Sequence, residues 1–222
     1  MAYQINVQTL SEQIYCVLRE EIVTQNIKCG SRLTLESLKE RFGVSHTPIR
    51  EALTRLVEDS LVTHYSNVGI TVVSLDENDV REIFELNGDL DCLALSYSMR
   101  ENKADFLATL EDIITKSVSF LAAGNMKEWS IESDKFHATF YDFCDNSRLK
   151  SAAKKLRAQT MLLYNLYHLE GKNAYNIQDY HTKIVEALQA DNIKKALKLL
   201  RAHLDEDMQL ALAALGKLDT DN

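Results

Sequence analysis

Glycine and proline are scarce in this chain, at seven and one of 222 residues. All-β sandwiches and Rossmann-type folds draw on turn glycines, so the shortage points to a mostly helical protein. Long apolar runs are also missing: no stretch approaches the roughly 18 residues of a membrane span. The opening residues, MAYQINVQTLSEQ, lack the basic start and apolar core of a signal peptide. Cysteine numbers four, and Cys16, Cys29, Cys92 and Cys144 form no C-x-x-C pair for zinc or redox work. They read as reduced thiols, and the chain as cytoplasmic. Positive charge is in deficit, with 25 Lys+Arg against 33 Asp+Glu and a net charge of −8. Averaged over the whole chain, that balance argues against a nucleic-acid partner, because phosphates are neutralised by Lys and Arg.

What is present has two textures. Leu10, Ile14, Val17, Leu18 and Ile22 recur at helical spacing and predict an amphipathic helix over 9–26. Leu35 and the run from Leu38 to Phe42 predict a short second helix that Gly43 ends. A third helix follows Val44-Ser45-His46-Thr47-Pro48, with the proline suited to a first helical turn and Ser45 or Thr47 as its cap. Short β-branched runs at 61–65 and 70–73 flank Ser66-Asn67-Val68-Gly69, a hairpin signal. Helix, helix, tight turn, helix, hairpin is the order of a winged helix-turn-helix. From Ser74 onward the pattern is helical throughout, with Ser74-x-x-Glu77 as a capping box. Six helices are predicted, over 79–99, 103–123, 127–144, 147–168, 175–189 and 192–214. The fold class is therefore mostly α: an N-terminal winged helix-turn-helix over 1–75 and an all-α helical bundle over 76–222.

The charge divides unequally between these two parts. Up to residue 75 there are seven basic and eight acidic side chains, a net of −1, which leaves −7 for the rest. The acidity lives in the bundle, and the front part is near neutral. A helix-turn-helix reads bases with side chains near the start of its second helix. That window holds Ser45, His46, Thr47 and Arg50. Hydroxyls and a helix N-terminus suit phosphate, and Arg50 has the fork that matches guanine O6 and N7. Gly69 would let the wing backbone come close to the minor groove. Each side chain taken alone is also an ordinary solvated group; the ordered combination points to DNA.

Three of the six histidines fall on inward helix faces of the bundle. His137 shares a stripe with Phe140 and Cys144, His181 with Ile184, Val185 and Leu188, and His203 with Ala196 and Leu200. Asp134 precedes His137 by one turn. A single inward histidine is usually a hydrogen-bonded core residue. Three, with a carboxylate, also suit a divalent transition metal of the zinc, nickel or manganese type. Both readings stay open at this level, as does a helical metal-dependent enzyme built on the same histidines. Against the enzyme, only one D-x-x-H occurs, whereas di-iron bundles pair E-x-x-H motifs.

The front part resembles a known family. Cys29-Gly30-Ser31-Arg32-Leu33, Leu35-Glu36-Ser37-Leu38, Phe42-Gly43-Val44-Ser45 and Thr47-Pro48-Ile49-Arg50-Glu51-Ala52-Leu53 are similar to the N-terminal domain of GntR-type bacterial transcription regulators. The family pattern usually has Arg in place of His46 and Pro in place of Cys29. The resemblance implies DNA contacts from Arg32, Ser45, His46, Thr47, Arg50 and Gly69. In the bundle, Asp134-Lys135-Phe136-His137, Asn146, His181-x-x-Ile184-x-x-Ala187-Leu188-x-x-x-Asn192 and His203-Leu204 resemble the FCD ligand-binding domain of the FadR subgroup.

That resemblance implies a metal held by Asp134, His137, His181 and His203, with a small organic acid as effector at its open positions. The family's aspartate usually sits where this chain has Ser133. Asp134 either substitutes after a small rotation or points away. Relatives often read R-x-x-L-E on the first bundle helix, where this chain has Asn87-Gly88-Asp89-Leu90-Asp91. Asn87 offers no charged fork, so either the effector is less acidic or another cation such as Arg157 reaches the pocket; Arg157 also reads as a solvated charge. One winged helix reads one half-site, so a homodimer on a near-palindromic double-stranded operator is expected, with no membrane partner.

Overall fold

In the computed structural model, residues 8–65, 69–168 and 173–220 are described, and they divide into two compact units at Leu75/Asp76. The first unit holds α1 (Leu10–Val23), β1 (Arg32–Leu33), α2 (Leu35–Phe42), α3 (His46–Glu58), β2 (Val62–Tyr65) and β3 (Gly69–Val72). Thr9 caps α1 by accepting from the Glu12 amide, and Thr34 caps α2 from the Ser37 amide. Gly43, at φ 65°, takes the left-handed turn that stops α2 and swings the chain into α3. Ser45 occupies the N-cap position of α3, but its side chain makes no capping bond, and Thr47 lies inside the helix. The predicted hydroxyl cap is therefore not used.

Ile14, Leu18 and Ile22 of α1 close with Ile49, Leu53 and Leu56 of α3 into a core at or below 4% exposure, joined by Leu38, Leu61 and Val72. Burial of this size, at about 25 cal/mol per Å² of apolar area, is what fixes α3 in place. The strands form one antiparallel sheet in the order β1-β3-β2, with Arg32 opposite Thr71 and Val62 opposite Val72. The predicted turn at Ser66-Asn67-Val68 lies outside the described residues.

The second unit runs α4 (Glu77–Glu101), α5 (Lys103–Ala122), α6 (Met126–Asp142), α7 (Ser147–His168), α8 (Ala174–Gln189) and α9 (Ile193–Thr220). The capping box that opens α4 is Asp76 with Asp79, two residues beyond the predicted Ser74-x-x-Glu77. Each aspartate accepts from the other's backbone amide, at 2.8 and 3.0 Å. The core is built from Leu95 on α4, Phe106 and Leu110 on α5, Phe136 and Phe140 on α6, Ile184 and Leu188 on α8, and Leu200 on α9. Edge-on rings of Phe106, Phe136 and Phe140 fill its centre. All four cysteines are free thiols. Among the described residues, no helix is long and apolar enough to cross a membrane.

Candidate metal centre and nucleic-acid interface

In the first unit, the predicted reading residues gather at the start of α3. Ser45, Thr47 and Arg50 are exposed there, and His46 is half-buried. Arg50 makes no ion pair among the described residues. Arg41, by contrast, is committed to Glu21 by a two-pronged bond, and Arg55 to Glu12 while lying over the Tyr15 ring at 4.0 Å. His46 is not free either: its Nε2 lies 3.1 Å from the Glu36 carboxylate on α2. Arg32 is exposed on β1 beside Gly69, which sits at φ +94°. A Cβ on Gly69 would stand 3.7 Å from the Arg32 guanidinium, an ordinary contact, so the backbone angle and not the space calls for glycine there.

In the second unit, the bundle brings His137, His181 and His203 together from α6, α8 and α9, each at most 4% exposed. Their ligand atoms all lie within 4.8 Å of one another. The Nε2 of His203 is 3.0 Å from that of His181 and 3.3 Å from that of His137. Two nitrogens on adjacent positions of a metal with bonds of about 2.0–2.1 Å stand about 3.0–3.4 Å apart, so the spacing fits a transition-metal ion. The rings are fixed from behind. His181 stacks on Phe136 at 4.1 Å, and His137 meets the same ring edge-on.

His137 has a further support that the sequence reading missed. Asp91 on α4, at 0% exposure, places Oδ2 3.0 Å from Nδ1 of His137, while its Oδ1 accepts from Tyr141 at 2.5 Å. With Nδ1–H donated to the carboxylate, Nε2 keeps its lone pair and faces the other histidines. Burial and the Asp91 charge push the Tyr141 hydroxyl well above its usual range, so it stays a donor. Asp207 Oδ2 lies 3.5 Å from Nε2 of His203, the same nitrogen that faces His181 and His137. Asp134 is not among the converging ligand atoms, and Ser133 before it is buried.

Asp134 instead lines an adjoining cavity with Asn87, His137, Arg157, Thr160, Met161 and Tyr164. The enclosed space is small, about 10 Å³, room for roughly one water molecule. Both predicted effector residues are therefore on its wall. Arg157 is half-buried, with its guanidinium 5.7 Å from the Tyr141 ring centre and 3.4 Å from the Asp134 carbonyl oxygen. Asn87 is 3% exposed. Of the cationic cluster on α9, Lys194, Lys195 and Lys198 are exposed, whereas Arg201 turns to Asp89 at 2.5 Å.

Comparison with known proteins follows the same division. Residues 10–72 match the family described as bacterial regulatory proteins, gntR family, and residues 82–206 match the FCD domain. The HTH-type transcriptional regulator BphR of Paraburkholderia xenovorans is 26% identical, over 92% of this chain and 86% of its own length. The HTH-type transcriptional repressor GlaR of Escherichia coli is 25% identical, over 86% and 90%. The solved structure of E. coli McbR/YncC superposes with a TM-score of 0.73 at 23% identity, over 96% of this chain and 99% of that one, a likeness of fold.

Proposed function

The chain belongs to the gntR family of bacterial regulatory proteins, with an FCD domain as its second unit, and from that premise we propose a transcription regulator whose operator affinity answers to a small organic acid bound beside a divalent metal ion. The family and the relatives are transcription regulators and not enzymes, which sets aside the metalloenzyme alternative for the three histidines. The observation that carries the proposal is a shared wall: His137 belongs both to the histidine trio and to the cavity that Arg157 and Asn87 line.

His137, His181 and His203 would hold the ion through Nε2. When bound, it supplies Lewis-acidic positions for a carboxylate oxygen. This chain's own residues do the rest. Asp91 fixes the His137 tautomer and ring angle. Arg157 offers the charge and donor fork that a carboxylate needs, in place of the arginine that relatives often carry at Asn87. The Asn87 amide adds an uncharged hydrogen bond.

A second copy is required on two grounds. One reading helix covers one half-site, and a front unit with a net charge near zero binds weakly alone. Two copies on a near-palindromic operator must match its half-site spacing. Effector binding that changes the match changes affinity, and this coupling is the regulatory event. Selection of bound DNA from a random pool tests the reading. Recovery of a short inverted repeat supports it, and failure to enrich any sequence overturns it.

A further inference from the structure

Asp207 brings a second buried carboxylate to the histidine trio. It is 2% exposed and follows His203 by four residues on α9, so both side chains leave one face of the helix a turn apart. Helical side chains lean back towards the N-terminus, which carries the Asp207 carboxylate over the turn that holds His203. Its Oδ2 stands 3.5 Å from Nε2 of His203. The Nε2 atoms of His181 and His137 stand 3.0 and 3.3 Å from that same nitrogen.

Protons serve this geometry poorly. With Nδ1–H of His137 given to Asp91, Nε2 of that ring presents a lone pair. The Asp207 carboxylate presents only lone pairs. Nε2 of His203 carries at most one hydrogen, which cannot point at three atoms in three directions. At 3.5 Å the carboxylate is also beyond a good N–H···O bond. A divalent ion among these atoms would meet all of their lone pairs at once. Adjacent ligands with bonds of about 2.0–2.2 Å stand about 3.0–3.5 Å apart, the range that the three separations around His203 span. Charge points the same way. Asp91 and Asp207 bring two negative charges into the bundle interior, and a divalent ion offsets both.

Resting on the reading of the trio as a metal centre, we propose that Asp207 is its carboxylate ligand, and that α9 supplies a His-x-x-x-Asp clamp in the role the resemblance gives to Asp134. Two ligands four apart on one helix face can hold one ion together. Asp134 instead lies on the cavity wall, where Arg157 reaches its carbonyl oxygen. Neither carboxylate belongs to the set of ligand atoms that all lie within 4.8 Å of one another. Asp207, however, stands at ligand spacing from His203, a member of that set. Closing on the ion asks only for a turn of the carboxylate about Cβ–Cγ, a soft torsion that leaves α9 in place.

The test titrates the full-length protein with Co²⁺, whose visible absorption reports the number and kind of its ligands. Asp207→Asn keeps the size of the side chain and removes its charge. It lowers Co²⁺ affinity by about 100-fold or more, beyond most outer partners of a metal ligand, and changes the shape of the spectrum. Asp134→Asn leaves both unchanged. Asp207→Cys supplies a positive readout that does not depend on the Asn variant folding. A thiol at a ligand position loses its proton to the ion and gives a sulfur-to-cobalt charge-transfer band in the near ultraviolet, absent from wild type. Asp134→Cys gives no such band. An unchanged affinity in Asp207→Asn, or a band from Asp134→Cys and none from Asp207→Cys, overturns the inference while the metal reading stands. A weaker affinity with the spectrum unchanged also overturns it, because Asp207 is then an outer partner like Asp91. A wild type that binds no Co²⁺ removes the metal reading and this inference with it.

Discussion

Oδ2 of Asp91 lies 3.0 Å from Nδ1 of His137, and this single contact decides which nitrogen of that ring faces His203. The pair joins α4 to α6, so the orientation of a candidate metal ligand depends on a helix that contributes no ligand itself.

Asp91→Asn keeps the shape but weakens the hold on Nδ1–H. Partners of this kind are worth about 10–100-fold in metal affinity. Competition with a chromophoric chelator should show a loss of that size, with helical content by circular dichroism unchanged. Unaltered metal affinity would mean that the contact plays no part in the site.

Arg157 is the cation on the cavity wall. A hydrogen bond to a charged group contributes about 1.5–3 kcal/mol, so Arg157→Ala should weaken binding of a small organic acid by roughly 10–100-fold. Arg157→Lys should recover only part of this, because an ammonium offers no fork. Titration calorimetry of the metal-loaded protein against a panel of short carboxylic acids measures both.

Arg50 and Arg32 should fail differently. Arg50→Ala should cost about 1–3 kcal/mol on the selected operator and relax preference at one base pair. Arg32→Ala should weaken all sequences alike and reduce the slope of log affinity against log salt by about 1 per protomer. Competition binding at several salt concentrations separates the two.

In the first unit, the Tyr15 hydroxyl donates to Asp59, which is 6% exposed. Tyr15→Phe leaves that carboxylate short of a donor and should cost about 1–3 kcal/mol by chemical denaturation. Burial and the bond to Asp59 push Tyr15 up to about 12. The unfolded chain gives up that proton from about pH 10. Between about pH 10 and about pH 12 the unfolded state therefore holds fewer protons, and stability falls as pH rises. The phenylalanine variant should lack this share of the alkaline loss. The readout is the difference from wild type, because Tyr141 and Tyr164 carry shifts of the same sign in the second unit.

Much of this was legible from spacing. The apolar stripes over Leu10–Ile22 and Ile49–Val57 mark helices on which Ile14, Leu18, Ile22, Ile49, Leu53 and Leu56 are buried while Leu10, Val17 and Val57 stay exposed, and the three inward histidines do converge. What stayed hidden depends on how helices are rotated against one another. Asp91 lies on α4 one turn beyond Asn87, so their shared face was available, but its contact with His137 crosses between helices far apart in sequence. Arg157 reads as a solvated charge because α7 carries other cations; only packing against Tyr141 turns it to the cavity. Asp134 precedes His137 by three residues, a rotation about 60° short of a full turn, and it lines the cavity wall without joining the three converging ligand atoms. Chain-wide charge misled for a simpler reason: a net of −8 averages a near-neutral reading unit with an acidic bundle.

The central claim is that occupancy beside the three histidines sets operator affinity. It is tested most directly by measuring operator affinity of the full-length protein with metal, with chelator, and with metal plus each acid that binds the cavity, in wild type and in His203→Ala. A coupling of about 1–3 kcal/mol predicts a 5–150-fold change on acid binding in the metal-loaded wild type, and its loss with chelator or in His203→Ala. Operator affinity indifferent to metal and to every bound acid, or the same change persisting in His203→Ala, would contradict the account.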